Sequence, residues 1–278
     1  MKLQELHDRL FELLCVIDDI AKKENVRYFL DAGTALGAVR EGDFIPWDDD
    51  MDLKVLAEDY EAFKAAMIKN LPEHIHFSEP REMAPAFYDF TVRIYDDRDL
   101  IREETEADRF YQNIENHVGT DVFILAKTPN TSLGRKGMIF SIKALYGMAM
   151  AHRHHIEWDK YKGFQKVQVA VLSTLGKLCS AEHLCDRFDR LTHKRDKKAA
   201  DYRVKANVPL QFLRFLPERL YEGEPKTATL RGREFPVVPQ AEGELAALYG
   251  ADWKTPRRTP HSIQHLDEAD RYSEKPEK

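Results

Sequence analysis

Four carboxylates in five residues, Asp48-Asp49-Asp50-Met51-Asp52, run directly into an apolar segment, and that junction restricts the folds open to this chain more than any other stretch. In extended backbone, residues two apart project to one face, so Asp48, Asp50 and Asp52 stand in a row while Asp49 and Met51 point the other way. Acids this close repel one another unless some keep their protons or a hard divalent cation sits among them. Oxygen-only ligands favour Mg2+ or Mn2+, the ions of phosphate chemistry. A solvated turn is the ordinary reading of a charge run. A calcium loop is excluded, because its sixth position would be Leu53 where Gly is required and its twelfth Asp59 rather than Glu.

What precedes the run sharpens the choice. Leu3, Leu6, Leu10, Leu13, Leu14, Ile17 and Ile20 recur at helical spacing and predict a first helix ending near Lys23. Arg27-Tyr28-Phe29-Leu30 reads as a strand, Asp31-Ala32-Gly33-Thr34 as a tight turn, and Ala35 to Arg40 as a short helix stopped at Gly42. Pro46 pushes Ile45 towards extended geometry, so the acidic strand is expected to begin there. A Gly-Thr pair before a helix is more often a cap than a phosphate seat. In the order strand, Gly-Thr turn, helix, acid-apolar-acid strand it matches the nucleotidyltransferase fold, where two carboxylates on the second strand hold an ion against a nucleotide phosphate.

Further along, Glu58 to Asn70 reads as a helix, Phe87 to Tyr95 as a strand, Asp96 to Asp99 as a turn, and Val118 to Leu125 as a buried strand carrying the single acid Asp121. Ser132 to about Lys198 is helical in pattern. Thr227 to Val238 forms two short strands joined at Arg231-Gly232, and a helix follows from Ala241 to Tyr249. The expected organisation is a catalytic core over 1–130, a helical insert over 131–205, a return to the core over 206–254, and a loosely ordered tail over 255–278. The fold class is therefore α/β (α+β), with a mixed sheet and a mainly helical insert.

Composition removes several alternatives. The 278 residues are 43% hydrophobic with a net charge of −6 and interspersed signs, so no broad basic surface for nucleic acid is implied. Cys15, Cys179 and Cys185 form no CxxC pair, which fits buried thiols in a reducing, cytoplasmic setting and no zinc site. Charges interrupt the first residues where a signal peptide needs a continuous apolar core. No membrane span is read. Met138 to Ala151 and Val167 to Cys179 are apolar enough for peripheral contact with a bilayer, although core-facing helices are the usual source of that pattern.

Residues Tyr28 to Asp52, YFLDAGTALGAVREGDFIPWDDDMD, carry a specific resemblance to the LicD/fukutin-type phosphotransferase family, a branch of the nucleotidyltransferase fold. The likeness extends more loosely through Val92-Arg93-Ile94-Tyr95, Asp121-Val122-Phe123 and Leu248-Tyr249-Gly250. It implies transfer of phosphocholine or a related alcohol phosphate from a CDP-activated donor, CDP-choline first, to a saccharide or glycolipid. By resemblance, Asp50 and Asp52 bind Mg2+, with Asp48 a third member of the cluster. Gly33 and Thr34 form the phosphate-facing turn, Arg40 and Arg93 are cations for the donor, and Asp121 is a ligand or the base for the acceptor hydroxyl. Family members often carry Pro and a second Asp after the third-strand acid, where this chain has Ile124, Leu125 and Ala126. That departure leaves the donor alcohol and acceptor open.

Two other activities use the same features: a nucleotidyltransferase moving a nucleotide onto a small alcohol, and a silent nucleotide- or glycan-binding protein. The His152 to His155 cluster reads as a polar helix face, because consecutive histidines on a helix do not face one another. Trp158 and Tyr161, three apart on the same expected helix, are candidates for an aromatic cage around a quaternary ammonium, though ordinary packing is the commoner role.

Overall fold

The computed structural model describes residues 1–257; the expected tail beyond them lies outside the described residues. A seven-stranded mixed sheet forms the centre. In chain order its strands are β1 (Phe29–Leu30), β2 (Asp52–Leu56), β3 (Ile75–Ser78), β4 (Val92–Leu100), β5 (His117–Lys127), β6 (Tyr202–Lys205) and β7 (Phe215–Pro217). In space the order is β1-β2-β5-β4-β3, with β6 and then β7 added along the far half of β5. Only β2 and β5 run parallel; every other pair is antiparallel. A separate hairpin, β8 (Lys226–Leu230) and β9 (Arg233–Val237), turns at Arg231 and Gly232, both with positive φ.

Helix α1 (Leu3–Glu24) buries its leucine face and stops at Asn25, whose left-handed φ of 53 supplies the C-cap. Its leucines share one core with β1, β2, β5, α3 (Tyr60–Asn70) and the hairpin. Helix α2 (Ala32–Arg40) connects β1 to the acidic loop, and the short α4 (Glu106–Phe110) precedes β5. Helices α5 (Ser132–Ala149), α6 (Phe164–Gly176) and α7 (Ala181–Thr192) lie between β5 and β6, and α8 (Ala241–Tyr249) closes the described chain. A second core joins α5 and α7 to the sheet through Ile142, Tyr146, Val204 and Phe90, whose ring stacks on Phe188 at 4.0 Å.

Several expectations are corrected. Asp96 to Asp99 is not a turn but part of β4, because Arg9 and Arg98 neutralise Asp96 and allow an acid to stand buried in a strand. Strands β3, β6 and β7 add to the sheet the sequence predicts. Arg203 of β6 is 2% exposed, held by Glu58 and Glu218 at 2.6 to 2.7 Å, so this strand lacks an apolar signature. The expected continuous helical stretch is broken after His152, and Trp158 and Tyr161 sit in and just after a 3-10 turn, with the Tyr161 hydroxyl on Met150 Sδ. His152 bonds the Cys179 carbonyl, while His154 and His155 contact each other.

Candidate active site

The strand begins later than the sequence suggests. β2 begins at Asp52, and residues 48–51 form a loop leading into it. The alternation survives nonetheless: Asp49 and Met51 are buried, and Asp48, Asp50 and Asp52 are half-buried on the other side. The loop is anchored from α1, where His7 Nε2 lies 2.6 Å from the Asp48 carbonyl and its ring stacks on Phe44.

Gly33 and Thr34 belong to the first turn of α2 rather than to a turn before it. Thr34 is 2% exposed, and its hydroxyl accepts a hydrogen bond from the Asp52 amide at 2.9 Å, so it fixes the start of β2. Gly33 makes room for Asp48: a Cβ there would meet Asp48 Oδ2 at 2.2 Å. The Asp48 carboxylate thus packs over the N-terminal turn of a helix, the end that favours negative charge. Ala32 beside it holds a φ of 41, a left-handed conformation that costs a residue with a Cβ about 1 kcal/mol or more.

Register completes the arrangement. Across the parallel pair Asp52 is opposite Asp121, and across the antiparallel pair Asp121 is opposite Arg93. On the other flank Asp31 donates its amide to the Asp52 carbonyl at 2.9 Å. Asp31, Asp52, Asp121 and Arg93 therefore form one transverse row over β1, β2, β5 and β4, at the strand spacing of about 4.8 Å.

Cations stand at the two ends of the row, and acids crowd its middle. Arg93 makes a two-pronged contact with Asp89 at 3.1 Å, touches Glu115, and reaches Asp121 at 3.1 Å. Three acids share that one guanidinium; burial, reinforced by Asp121 and Asp89, raises Glu115 to about 8 against the pull of Arg93. At the opposite end Asp31 is fully buried between Lys54 at 2.9 Å and Lys205 at 2.5 Å. Burial alone would raise Asp31, but the two ammonium groups outweigh it and hold the carboxyl at about 2. Lys54, also 0% exposed, bonds Glu244 of α8, whose other oxygen accepts from the Tyr221 hydroxyl at 2.7 Å.

In the middle, burial followed by the charges of Asp50 and Asp49 pushes Asp48 up to about 9. Asp52 is raised well above the carboxylate range by burial, then by Asp50, Asp121 and Asp31, with Lys205 the opposing charge. An all-oxygen donor set with excess negative charge has the chemistry of a Mg2+ site. Among the described residues, no three acids, histidines or cysteines stand ready to hold an ion by themselves. Mg2+ characteristically takes one or two carboxylates and leaves its other positions to water and phosphate, a demand Asp50 and Asp52 fit.

Of the residues picked out from the sequence, Gly33, Thr34, Asp48, Asp50, Asp52, Asp121 and Arg93 are thus brought together. Arg40 is not. It ends α2, about 10 Å along the helix from Gly33 at 1.5 Å per residue, and its guanidinium bonds Glu41 and the Trp253 carbonyl. Arg93 reaches the row but is engaged by acids rather than open towards a donor. Asp31, Lys54, Lys205 and Glu244 escaped sequence reading; a lysine in the middle of the Leu53 to Leu56 apolar segment was the available signal.

Comparison with known proteins fits this geometry. Residues 25–130 match the nucleotidyltransferase domain of the LicD/FKTN/FKRP family. The chain is 23% identical to lipopolysaccharide cholinephosphotransferase LicD of Haemophilus influenzae, over 97% of this chain and 99% of that protein. An uncharacterized protein of Rickettsia typhi is 26% identical over 55% of this chain and 47% of its own length. Ribitol 5-phosphate transferase FKRP of Homo sapiens is 50% identical over 40 residues, 14% of this chain and 8% of that protein. Residues 25–130 thus match a nucleotidyltransferase domain of the LicD/FKTN/FKRP type, and the chain as a whole is similar in sequence to a phosphotransferase that carries it.

Proposed function

We propose that this protein transfers phosphocholine, or a related alcohol phosphate, from a CDP-activated donor to a hydroxyl of a saccharide or glycolipid. The observation that carries the reading is the crowding of acids at the centre of the row, Asp52 opposite Asp121 with Asp48 and Asp50 beside them. Support for the substrate class comes from the full-length likeness to a lipopolysaccharide cholinephosphotransferase and the local likeness to a ribitol 5-phosphate transferase.

Asp50 and Asp52 would hold Mg2+ or Mn2+, with Asp48 completing the cluster. Bound there, the ion would offset charge on the donor diphosphate and on departing CMP. The chain's own residues do the rest. Thr34 and Gly33 set the start of β2 and the seat of Asp48. Arg93 orients Asp121 from the neighbouring strand. Asp121 accepts the proton as the acceptor oxygen bonds to the phosphorus bearing the alcohol; the bond from that phosphorus to the bridging oxygen breaks, and CMP leaves with the electron pair.

Incubating the protein with CDP-choline, CDP-ribitol and CDP-glycerol, in Mg2+ and in EDTA, and measuring CMP tests the reading. One donor should release CMP above the others, and only with the metal. No CMP from any donor, or equal release in EDTA, would overturn it; pyrophosphate release from a nucleoside triphosphate would point instead to nucleotidyl transfer.

A further inference from the structure

Outside the acid row, the unusual feature is hydrocarbon turned outward on α6. This helix leans on α5 through small residues: a Cβ on Gly147 would meet Leu172 at 2.5 Å, and one on Gly176 would meet the Met148 carbonyl at 1.9 Å. Val169, Ser173 and Gly176 face that contact. Most of the large apolar residues face the other way. Phe164, Val167, Val171 and Leu175 recur at three and four residues and are 72%, 55%, 53% and 47% exposed, and Leu178 just beyond is 82% exposed. An amphipathic helix in a globular protein normally turns such a stripe to the core. Here Val169, Leu172, Ser173 and Gly176 take the side towards α5, and the stripe is left to the outside.

Charge identifies what covers it. Residues 131–180 contain eight Lys and Arg and two acids, Glu157 and Asp159, in a chain whose total charge is −6. Lys162 and Lys166 near the start of α6 and Lys177 just past its end are exposed, and Trp158, 41% exposed, precedes the helix in the chain. A second copy of the chain, meeting the same patch by two-fold symmetry, would bring these cations against one another. An anionic lipid surface satisfies both features, taking the stripe at the headgroup boundary and the lysines at the phosphates. At 13 residues α6 is about 20 Å long, well short of a bilayer core. Among the described residues no helix is long and apolar enough to cross a membrane.

We infer that α6, with the cationic residues flanking it, is a docking face that lies flat in the interface of an anionic bilayer. This does not depend on the catalytic reading. Sedimentation of the full chain with phosphatidylcholine vesicles, with and without about 30% phosphatidylglycerol, tests it directly. Binding should be at least tenfold stronger, roughly, on the anionic vesicles and should fall by a similar factor between about 50 and 500 mM salt. Val171→Glu with Leu175→Glu should abolish it while far-UV circular dichroism and the melting temperature stay as in wild type. Lys162→Glu with Lys166→Glu, which leaves the stripe intact, should weaken binding to anionic vesicles selectively. Three results would overturn the inference: no sedimentation with either vesicle, equal binding to both, or a wild-type dimer in solution that the Val171 and Leu175 changes convert to monomer.

Discussion

The open end of β2 and β5 and the outer face of α6 violate the usual placement of residues in opposite senses. At the first, acids are crowded into partial burial; at the second, large apolar side chains stand in water's place. Neither lowers the folding free energy of the chain by itself. Burial, reinforced by neighbouring acids, raises Asp48 and Asp52 above their ordinary range, and exposed hydrocarbon forgoes the roughly 25 cal/mol per Å2 that burial would supply. Both are regions in which the fold has been shaped for something other than its own stability, and each is braced by an ordinary region next to it. The acid row is flanked by the Lys54 and Lys205 pairs and by Arg93, and α6 is seated on the small-residue contact with α5.

If that contrast is right, substitutions in the unusual regions should cost function and little stability, and substitutions in the braces should cost stability first. The largest effect is expected at Asp52→Asn: transfer should fall by about 10^3-fold or more, yet the melting temperature in EDTA should not drop, because a neutral side chain relieves the repulsion. A clear loss of metal-free stability would mean that Asp52 is structural. Lys54→Ala should destabilise by about 3–5 kcal/mol, since it strands Asp31 and Glu244 as buried acids. Denaturant titration measures this, and a cost of a few tenths of a kcal/mol would dissolve the distinction between row and brace.

Gly33→Ala should cost about 1–3 kcal/mol and lower turnover as well, because the new methyl displaces the Asp48 carboxylate. Turnover untouched in a folded variant would remove Asp48 from the site. The pH dependence of stability tests the compensated end. Asp31 is depressed in the folded protein, to about 2 from an ordinary 3.8, so its contribution is fully present above pH 4 and is lost as pH falls towards 2. That contribution is roughly 2 kcal/mol and should be missing from the acid limb of Asp31→Asn. The smallest effect belongs to α6, where Val171→Gln should change stability by no more than about 0.5 kcal/mol, in contrast to Val169→Gln on the buried side.

How much of this was legible without coordinates depended on which force dominated locally. Where apolar spacing decides the element, as in α1, α8 and the β8–β9 hairpin, the pattern in the residues leads to the observed boundaries within a residue or two. Where ion pairs decide it, the pattern misleads. Asp96 looked like a turn because its partners Arg9 and Arg98 are invisible to periodicity, and β6 was hidden by Arg203, whose partner Glu58 is 145 residues away. The site divides the same way. The local motif from Gly33 to Asp52 is readable because its members are close in sequence, and Asp121 is readable as a lone acid in a strand. The compensating lysines are not, since nothing near Asp31 in the chain announces Lys205 or Glu244. Local spacing also places Arg40 beside the motif, whereas the length of α2 carries it to the far end.

The distance along the chain between those partners bears on synthesis. Lys54 reaches Glu244 across 190 residues and Asp31 reaches Lys205 across 174. A ribosome adding roughly 5–20 residues per second has therefore finished β2 many seconds before the helix carrying Glu244 emerges. Until then the buried ammonium of Lys54 lacks one of its two counter-charges, and the strand that presents Asp52 cannot settle into its final burial. The acid row is encoded between residues 31 and 121 but gains its full set of buried partners only once α8 has been made, so chains stopped before α8 should refold poorly.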